Sequence, residues 1–305
     1  RLLHAFHGFP MENMLVVGIT GTNGKSTTAY LVESILAAAG RKPGLIGTIE
    51  YRFGAGRDMA AQTTPHPAIL MRYLDEMRGA GVDSLVMEVS SHALVQDRVE
   101  GIPFKVAALT NLTHEHLDFH KTREAYIEAK WKFFADFLPR CPNGIAVFNL
   151  DDPVGAEFNR RFRGDAVTYG ANSNAEVRGS NIRSSTDGTQ LTVETPSGSR
   201  EVHSALCGEY NAWNILAAAA SGLAADLSLD AVVEGIESLS GVPGRFERVE
   251  VDAPFEVYVD FAHTPDALER VLHSARRIAG GHWDERVQPL RGAEPAEVGR
   301  AFNSM

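Results

Sequence analysis

Cysteine is almost missing from this sequence: Cys141 and Cys207 are the only two in 305 residues, far apart and with no metal-ligating neighbours along the chain. That excludes a disulfide framework and a cysteine-based zinc site, and it fits two buried thiols in a reducing compartment. Long apolar runs are missing too. The most apolar stretch, residues 215–225, is alanine-rich and interrupted by Ser221 and Gly222, well short of the roughly 20 residues a membrane-spanning helix needs. No signal-peptide pattern opens the chain. Basic clusters interleaved with aromatics are absent and the net charge is −10, which argues against a nucleic-acid-binding surface. The expectation is a soluble, cytoplasmic, monomeric protein with no membrane insertion. If such an acidic chain binds an anion, it must concentrate its positive charge locally.

What the sequence does contain begins at residues 14–40, MLVVGITGTNGKSTTAYLVESILAAAG. Leu15, Val16, Val17 and Ile19 form the short apolar run of a buried parallel strand, and residues 26–39 are rich in helix formers before Gly40 ends them. Between them lie Gly18, Gly21, Gly24, Lys25 and Ser26. Glycines let a backbone approach a polyphosphate, N–H groups at a helix start point at it, Lys25 adds a cation, and Ser26 offers a hydroxyl to Mg²⁺. The spacing departs from the strict phosphate-loop pattern, because Ile19 stands where the first glycine is required.

Further strands are expected at residues 44–49, 84–89, 106–110 and 145–148, and helices at 67–78 and 122–138, with a glycine-rich turn at 54–57. This is an α/β pattern with a parallel sheet. Ligands of such sheets gather at the carboxyl ends of the strands, which places Glu88, Ser90, Ser91 and His92 beside the glycine loop. Another strand end, at Asn111, opens onto His114, His116, Asp118 and His120. Residues 165–206 change to short alternating segments with Ser/Gly/Pro turns, which predicts a small antiparallel sheet attached to the parallel one. Helices return at 210–225 and 228–239, and Gly241–Gly244 marks a boundary. Strands at 246–251 and 255–261 and a helix over 265–279 then read as the opening of a second α/β domain. The residues from 280 onward lack any apolar strand run.

Glu88, His116 and Ser26 fall at strand ends expected to be neighbours, so they could converge on one or two divalent ions; Mg²⁺ prefers oxygen ligands, which suits Glu88 and Ser26 better than His116. Taken singly, Glu88 could equally be a salt-bridged strand-end carboxylate and His116 a satisfied loop histidine. The histidines lack the helical spacing of a zinc site. By composition alone Lys130, mid-helix, is an ordinary surface lysine. Arg98 could bind an anionic substrate or pair with Asp97 or Glu100.

In order along the chain, GITGTNGKST, TTP, MEVSSHAL, TNLTHEHLDFH, EAKW, GEYNAWN, GVPGRFE and DFAHTPDAL occupy residues 18–268, and in them the chain resembles the Mur ligases, most closely those that add the third residue of the peptidoglycan stem peptide. The resemblance implies a ligase, with roles in cell-wall synthesis, cell shape and division, that uses ATP and Mg²⁺. It would phosphorylate the terminal carboxylate of UDP-MurNAc-L-Ala-D-Glu and let the amine of diaminopimelate or lysine attack the acyl phosphate. It further implies that Thr22, Asn23, Gly24, Lys25, Ser26 and Thr27 bind the ATP phosphates, that Asn214 reaches adenine, and that Arg245 and Asp260 contact the nucleotide. Gln62, Thr63, Thr64, Ser90, Gln96 and Arg98 would hold the UDP-MurNAc-dipeptide. Ser26, Glu88 and His116 would ligate metal, and Lys130, carbamylated by CO₂, would join them; Lys25, Glu88, His116 and Lys130 form the implied catalytic set.

The family pattern divides the chain into residues 1–13 as the remnant of a preceding domain or linker, 14–245 as the central ATP-binding domain, and 246–305 as the truncated start of a Rossmann-like carboxy-terminal domain, atypical from about 281. From that division the expectation is weak ATP binding and little ligase activity. The alternatives are a non-catalytic nucleotide-binding fragment and a folylpolyglutamate- or cyanophycin-type ligase, which shares the ATP loop but not the TTP and SSHAL segments.

Overall fold

The structure, a computed structural model, describes residues 13–249 except 114–116, 173 and 186, together with Gly8, Met11 and short pieces at 257–262, 268–269 and 271–272. His114, His116, most of the expected helix at 265–279 and the tail from 280 lie outside the described residues.

Strand β1 (Leu15–Thr20) is the centre of the molecule. Helix α1 (Lys25–Ala38) follows it directly. Then come β2 (Pro43–Ile46), β3 (Glu50–Phe53), β4 (Gly56–Met59), α2 (Pro67–Gly79), β5 (Ser84–Glu88), α3 (Ser91–Val95) and β6 (Phe104–Leu109). The chain continues through α4 (Leu117–His120), α5 (Arg123–Lys132), β7 (Ile145–Asn149), α6 (Pro153–Arg161) and β8 (Ala166–Gly170). Strands β9 (Val177–Ser185), β10 (Gly188–Thr195) and β11 (Gly198–Ser204) precede α7 (Tyr210–Ala224) and α8 (Leu229–Ser238), and β12 (Glu247–Val249) pairs antiparallel with β13 (Val257–Val259).

Strands β1 to β11 form one sheet in the order β11-β10-β9-β8-β7-β6-β1-β5-β2-β3-β4. β1 runs parallel to β5 on one side and to β6 on the other. The carboxyl ends of these three strands therefore open onto one crevice, where the chain crosses from one half of the sheet to the other. Alternate residues of β1 serve opposite faces: Val17 and Ile19 join the core under α1, α7 and α8, while Val16 joins the aromatic-rich core under α2, α5 and α6. Covered on both faces, the strand reads as a continuous apolar run.

The expected antiparallel region is present, with a difference. β8, within the residues read as antiparallel, lies parallel to β7 and β9, so the antiparallel set β9–β11 continues the main sheet instead of forming its own. At the other end β2, β3 and β4 are antiparallel, and Gly54 turns a hairpin at φ 54° between β3 and β4, within the segment read as a plain turn. The strand expected over 44–49 stops at Ile46 because the chain bends over the end of β5; a Cβ on Gly47 would lie 2.5 Å from Glu88 Oε1. The helix expected over 122–138 is α-helical only to Lys132, then forms a π-turn over Phe133–Phe137 and a 3₁₀-turn over Leu138–Arg140. Such widened turns are frequent at functional sites, and this one follows Lys130 closely.

Candidate active site

The loop after β1 turns into α1 through Gly24, which caps the helix in the left-handed conformation at φ 84° and ψ −6°. A side chain there would be strained, and its Cβ would overlap Asn214 Oδ1 on α7. Gly21 also holds a positive φ, of 148°, close against Thr110. Gly18 corrects the sequence reading: it lies inside β1, and a Cβ there would meet Phe133 at 2.6 Å and Phe104 at 2.7 Å. Its smallness serves aromatic packing, and the phosphate loop proper begins at Gly21.

The end of β6 clamps this loop. Asn111 accepts from the Asn23 N–H at 3.0 Å and donates to the Asn23 carbonyl at 3.1 Å, while its own carbonyl accepts from the Thr22 N–H at 2.8 Å. Thr110 Oγ1 donates to the Asn23 carbonyl at 2.7 Å. Tyr126 on α5 meets Thr22 Oγ1 at 3.0 Å. Behind the clamp, Tyr169 donates from its hydroxyl to the Leu109 and Thr110 carbonyls at 3.0 and 3.1 Å, and complete burial pushes its phenol well above the usual range. Sequence reading marked Asn111 only as a strand end and missed Thr110, Tyr126 and Tyr169. The TNLTHEHLDFH strand end, residues 110–120, could have flagged the first of these; nothing in the sequence singles out Tyr169.

Lys25 lies over the loop, donating to the Gly21 and Thr22 carbonyls at 3.0 and 2.6 Å. Lys130 is no surface lysine. It is 1% exposed, and its ammonium donates to Thr20 Oγ1 and the Gly21 carbonyl, each at 3.0 Å, beside the Tyr126 ring. One turn of α5 thus delivers both Tyr126 and Lys130 to the loop, as the i, i+4 relation requires.

Glu88 ends β5 and is 1% exposed. Its Oε1 accepts the Thr48 N–H at 2.8 Å and its Oε2 the Thr48 hydroxyl at 2.9 Å; Thr48 in turn meets Thr63 Oγ1 at 3.0 Å. Thr64 is buried, donating to the Glu88 carbonyl at 2.8 Å and accepting from the Ser90 N–H at 3.0 Å. Arg98 gathers Gln62, Thr64 and Gln96: its guanidinium donates to Gln62 Oε1 and Gln96 Oε1, each at 2.8 Å, and to the Thr64 carbonyl at 2.9 Å. Asp97 pairs with Lys132, at 2.6 Å, and Glu100 with Arg140.

The segment after α8 supplies the opposite wall. Arg245 donates from Nη2 to Ser26 Oγ at 3.1 Å and stacks over Phe261 at 5.1 Å, while its buried Nε finds no partner among the described residues. Asp260 accepts the Phe246 and Ala262 N–H groups at 2.7 and 2.6 Å; burial raises its carboxyl above the usual range, against the lowering by those bonds and by Arg245. Asn214, 6% exposed, donates to Asn211 Oδ1 at 2.8 Å.

These parts surround one cavity of about 280 Å³. Residues 22–27, Thr63, Glu88, Ser90, Lys130, Asn214, Arg245 and Asp260 all line it, joined by Thr48, Ser91, Tyr210 and Asn211. Of the residues named from the sequence, Gln62, Thr64, Gln96 and Arg98 form the adjoining cluster, and His116 lies outside the described residues. The donor set fits a nucleotide with Mg²⁺: backbone N–H groups at a helix start, two cations and an orphaned guanidinium N–H suit phosphates, and the Ser26 hydroxyl and Glu88 carboxylate are oxygen ligands for a hard cation.

Comparison with known proteins agrees with this geometry. The Mur ligase middle domain model matches residues 19–222, and the Mur ligase glutamate ligase domain model matches residues 244–302, running through the segment from about 281 that looks atypical in sequence. A UDP-N-acetylmuramoyl-L-alanyl-D-glutamate–2,6-diaminopimelate ligase of Geobacter metallireducens is 46% identical, the alignment covering 96% of this chain and 60% of that protein. The ligase of the same name from Bacillus licheniformis is 43% identical over 92% of this chain and 58% of its own length. The chain thus spans about three fifths of the length of these relatives. A solved structure of a ligase of that name superposes with a TM-score of 0.77 at 28% identity, covering 91% of this chain and 58% of that one. The folylpolyglutamate synthetase of Lactobacillus casei, with a TM-score of 0.72 at 18% identity over 99% of this chain and 80% of its own, shares the fold.

Proposed function

Because the chain belongs to the Mur ligase family, we propose that it carries the ATP-dependent ligase chemistry that adds diaminopimelate to UDP-MurNAc-L-Ala-D-Glu in the cytoplasmic synthesis of peptidoglycan precursors. The names of its relatives support this choice of substrates. The observation that carries it is the single cavity in which the phosphate loop meets Glu88, Lys130, Ser90 and Thr63. A carboxylate oxygen is a poor leaving group, so it must first take the γ-phosphoryl group; the amine then attacks the acyl carbon, forming the amide bond as phosphate departs with the C–O electron pair.

The chain's own residues divide this work. The N–H groups of residues 24–27, at the start of α1, and the Lys25 ammonium would hold the β- and γ-phosphates, and Asn214 the adenine side. Arg245 and Asp260 would close on the nucleotide from the far wall. Thr63, Ser90 and the Arg98 cluster would hold the dipeptide, which needs its carboxylate in line with the γ-phosphate. Ser26, Glu88 and His116 would hold Mg²⁺, which, when bound, would neutralise charge accumulating between the two anions. Lys130 stands within the same cavity. As a free amine it could take up CO₂, forming an N–C bond and releasing a proton; that would turn a cation into a carboxylate-like group.

The test is phosphate release by the 305-residue chain with ATP and Mg²⁺, with and without UDP-MurNAc-L-Ala-D-Glu, and then with diaminopimelate or lysine. Release that needs both the nucleotide-sugar dipeptide and diaminopimelate supports the proposal. ATP binding with no response to either substrate would instead support a nucleotide-binding module.

A further inference from the structure

Thr48 has no role in the reading above, yet it makes the contacts that fix Glu88. Its N–H and hydroxyl occupy both carboxylate oxygens, at 2.8 and 2.9 Å, and its hydroxyl also meets Thr63 at 3.0 Å. A hydroxyl carries one hydrogen and two lone pairs. The hydrogen of Thr48 goes to Glu88 Oε2, because a hydrogen bond to a charged acceptor is about twice as strong as one to a neutral hydroxyl. Thr48 can then only accept from Thr63, so the Thr63 hydrogen is committed as well. Thr63 lines the cavity, and what it presents there is lone pairs.

Ser90 has the opposite polarity. Its Oγ accepts the Ala93 N–H at 3.2 Å as the cap of α3, and Thr64 spends its hydrogen on the Glu88 carbonyl at 2.8 Å. Thr64 Oγ1 lies 3.4 Å from Ser90 Oγ, a long contact, and with the Thr64 hydrogen directed at the Glu88 carbonyl the Ser90 hydrogen can turn to the cavity, which Ser90 also lines. Two hydroxyl side chains of the cavity thus differ in kind, one an acceptor and one a donor: Glu88 sets the first through Thr48, and the Ala93 N–H and Thr64 set the second.

We propose that Thr48 is a positioning residue that orders Glu88 and commits Thr63 as a hydrogen-bond acceptor, so that the site selects a substrate presenting an amide N–H at Thr63 and not an oxygen. This rests on the ligase reading, in which the substrate is a peptide ending in a carboxylate beside an amide. The Thr63–Thr48–Glu88 chain also links substrate recognition to the proposed metal ligand: proton order on one side fixes proton order on the other.

The experiment is isothermal titration of the 305-residue chain, with no turnover required, using UDP-MurNAc-L-Ala-D-Glu and its ester analogue, in which oxygen replaces the glutamate amide N–H. The wild type should bind the amide roughly tenfold more tightly, the size of one well-made hydrogen bond. Thr48→Ser keeps the hydroxyl and should keep that ratio. Thr48→Val releases the Thr63 hydrogen and should bring the ratio close to one. Thr63→Val should also bring it close to one, and this test holds even if Thr48→Val fails to fold. Equal binding of amide and ester by the wild type, or a tenfold ratio retained in folded Thr48→Val or in Thr63→Val, would overturn the proposal. Binding of ATP but of neither dipeptide ligand would overturn the ligase reading itself and the inference with it.

Discussion

Replacing Gly24 with alanine tests the geometry of the phosphate loop. The residue sits at φ 84°, where an L-side chain costs about 1–2 kcal/mol relative to glycine. The new Cβ would also overlap Asn214 Oδ1, so Asn214 must swing away and give up its 2.8 Å bond to Asn211, a further loss of about 1 kcal/mol. The sum is about 2–3 kcal/mol of folding stability. The two parts can be separated with Asn214→Ala, which removes the overlapping atom and keeps α7 helical. In that background Gly24→Ala should cost only the backbone part, leaving a coupling of about 1 kcal/mol between the two sites. Chemical denaturation of the four proteins measures this. ATP affinity, followed by titration, should fall more than tenfold in Gly24→Ala, because the N–H groups opening α1 lose their direction. If Gly24→Ala leaves stability within about 0.5 kcal/mol, the spread of ordinary surface substitutions, or if the cycle shows no coupling, then the left-handed cap and its contact with Asn214 are not what hold the loop.

Three further outcomes follow, two from the same site and one from the cap of α6. Lys130→Ala should abolish substrate-dependent phosphate release, and short carboxylic acids should restore part of it if a carbamate is the working group; rescue by alkylamines and not by acids would assign the role to the ammonium. Arg245→Met should weaken ATP binding about tenfold or more by removing a guanidinium from the nucleotide wall, while leaving the melting temperature nearly unchanged, since Arg245 stacks on Phe261 from outside the main sheet; titration and calorimetry check the two parts. Asp152 caps α6 and is raised by burial despite three backbone N–H bonds. A folded-state value above the unfolded one means its contribution is fully present below about pH 4 and is lost as pH rises through the raised value. The wild type should therefore lose stability relative to Asp152→Asn as pH increases above that point, and a difference independent of pH would refute the assignment.

Much of this site was legible because its chemistry is carried by contiguous motifs. The strand, glycine turn and helix of residues 14–40 announce themselves by period and composition, and the gathering of ligands at the carboxyl ends of parallel strands places Glu88 and Ser90 near the loop once β1, β5 and β6 are read as parallel neighbours. What was not legible depends on distant approach. Gly18 looked like a phosphate glycine because sequence spacing cannot show that Phe104 and Phe133 press on it. Lys130 looked exposed because a lysine carries no mark of burial; its burial comes from Thr20 and Gly21, more than a hundred residues earlier. The parallel pairing of β8 was hidden for a similar reason, since strand direction is decided by the helix that precedes it, and α6 was not read.

The clamp on the phosphate loop has a thermodynamic consequence. Residues 22 and 23 are tied by their backbone to Asn111 and Thr110, and the loop carbonyls are occupied by two lysines. A loop ordered in advance gives up little conformational freedom when an anion arrives. Its partner wall, built around Arg245 and Asp260, is tied to the loop by the Arg245–Ser26 bond. Entropy lost on nucleotide binding should therefore be concentrated in that wall, at residues 245–249 and 257–262, and backbone order parameters should rise there while those of residues 21–25 stay where they were.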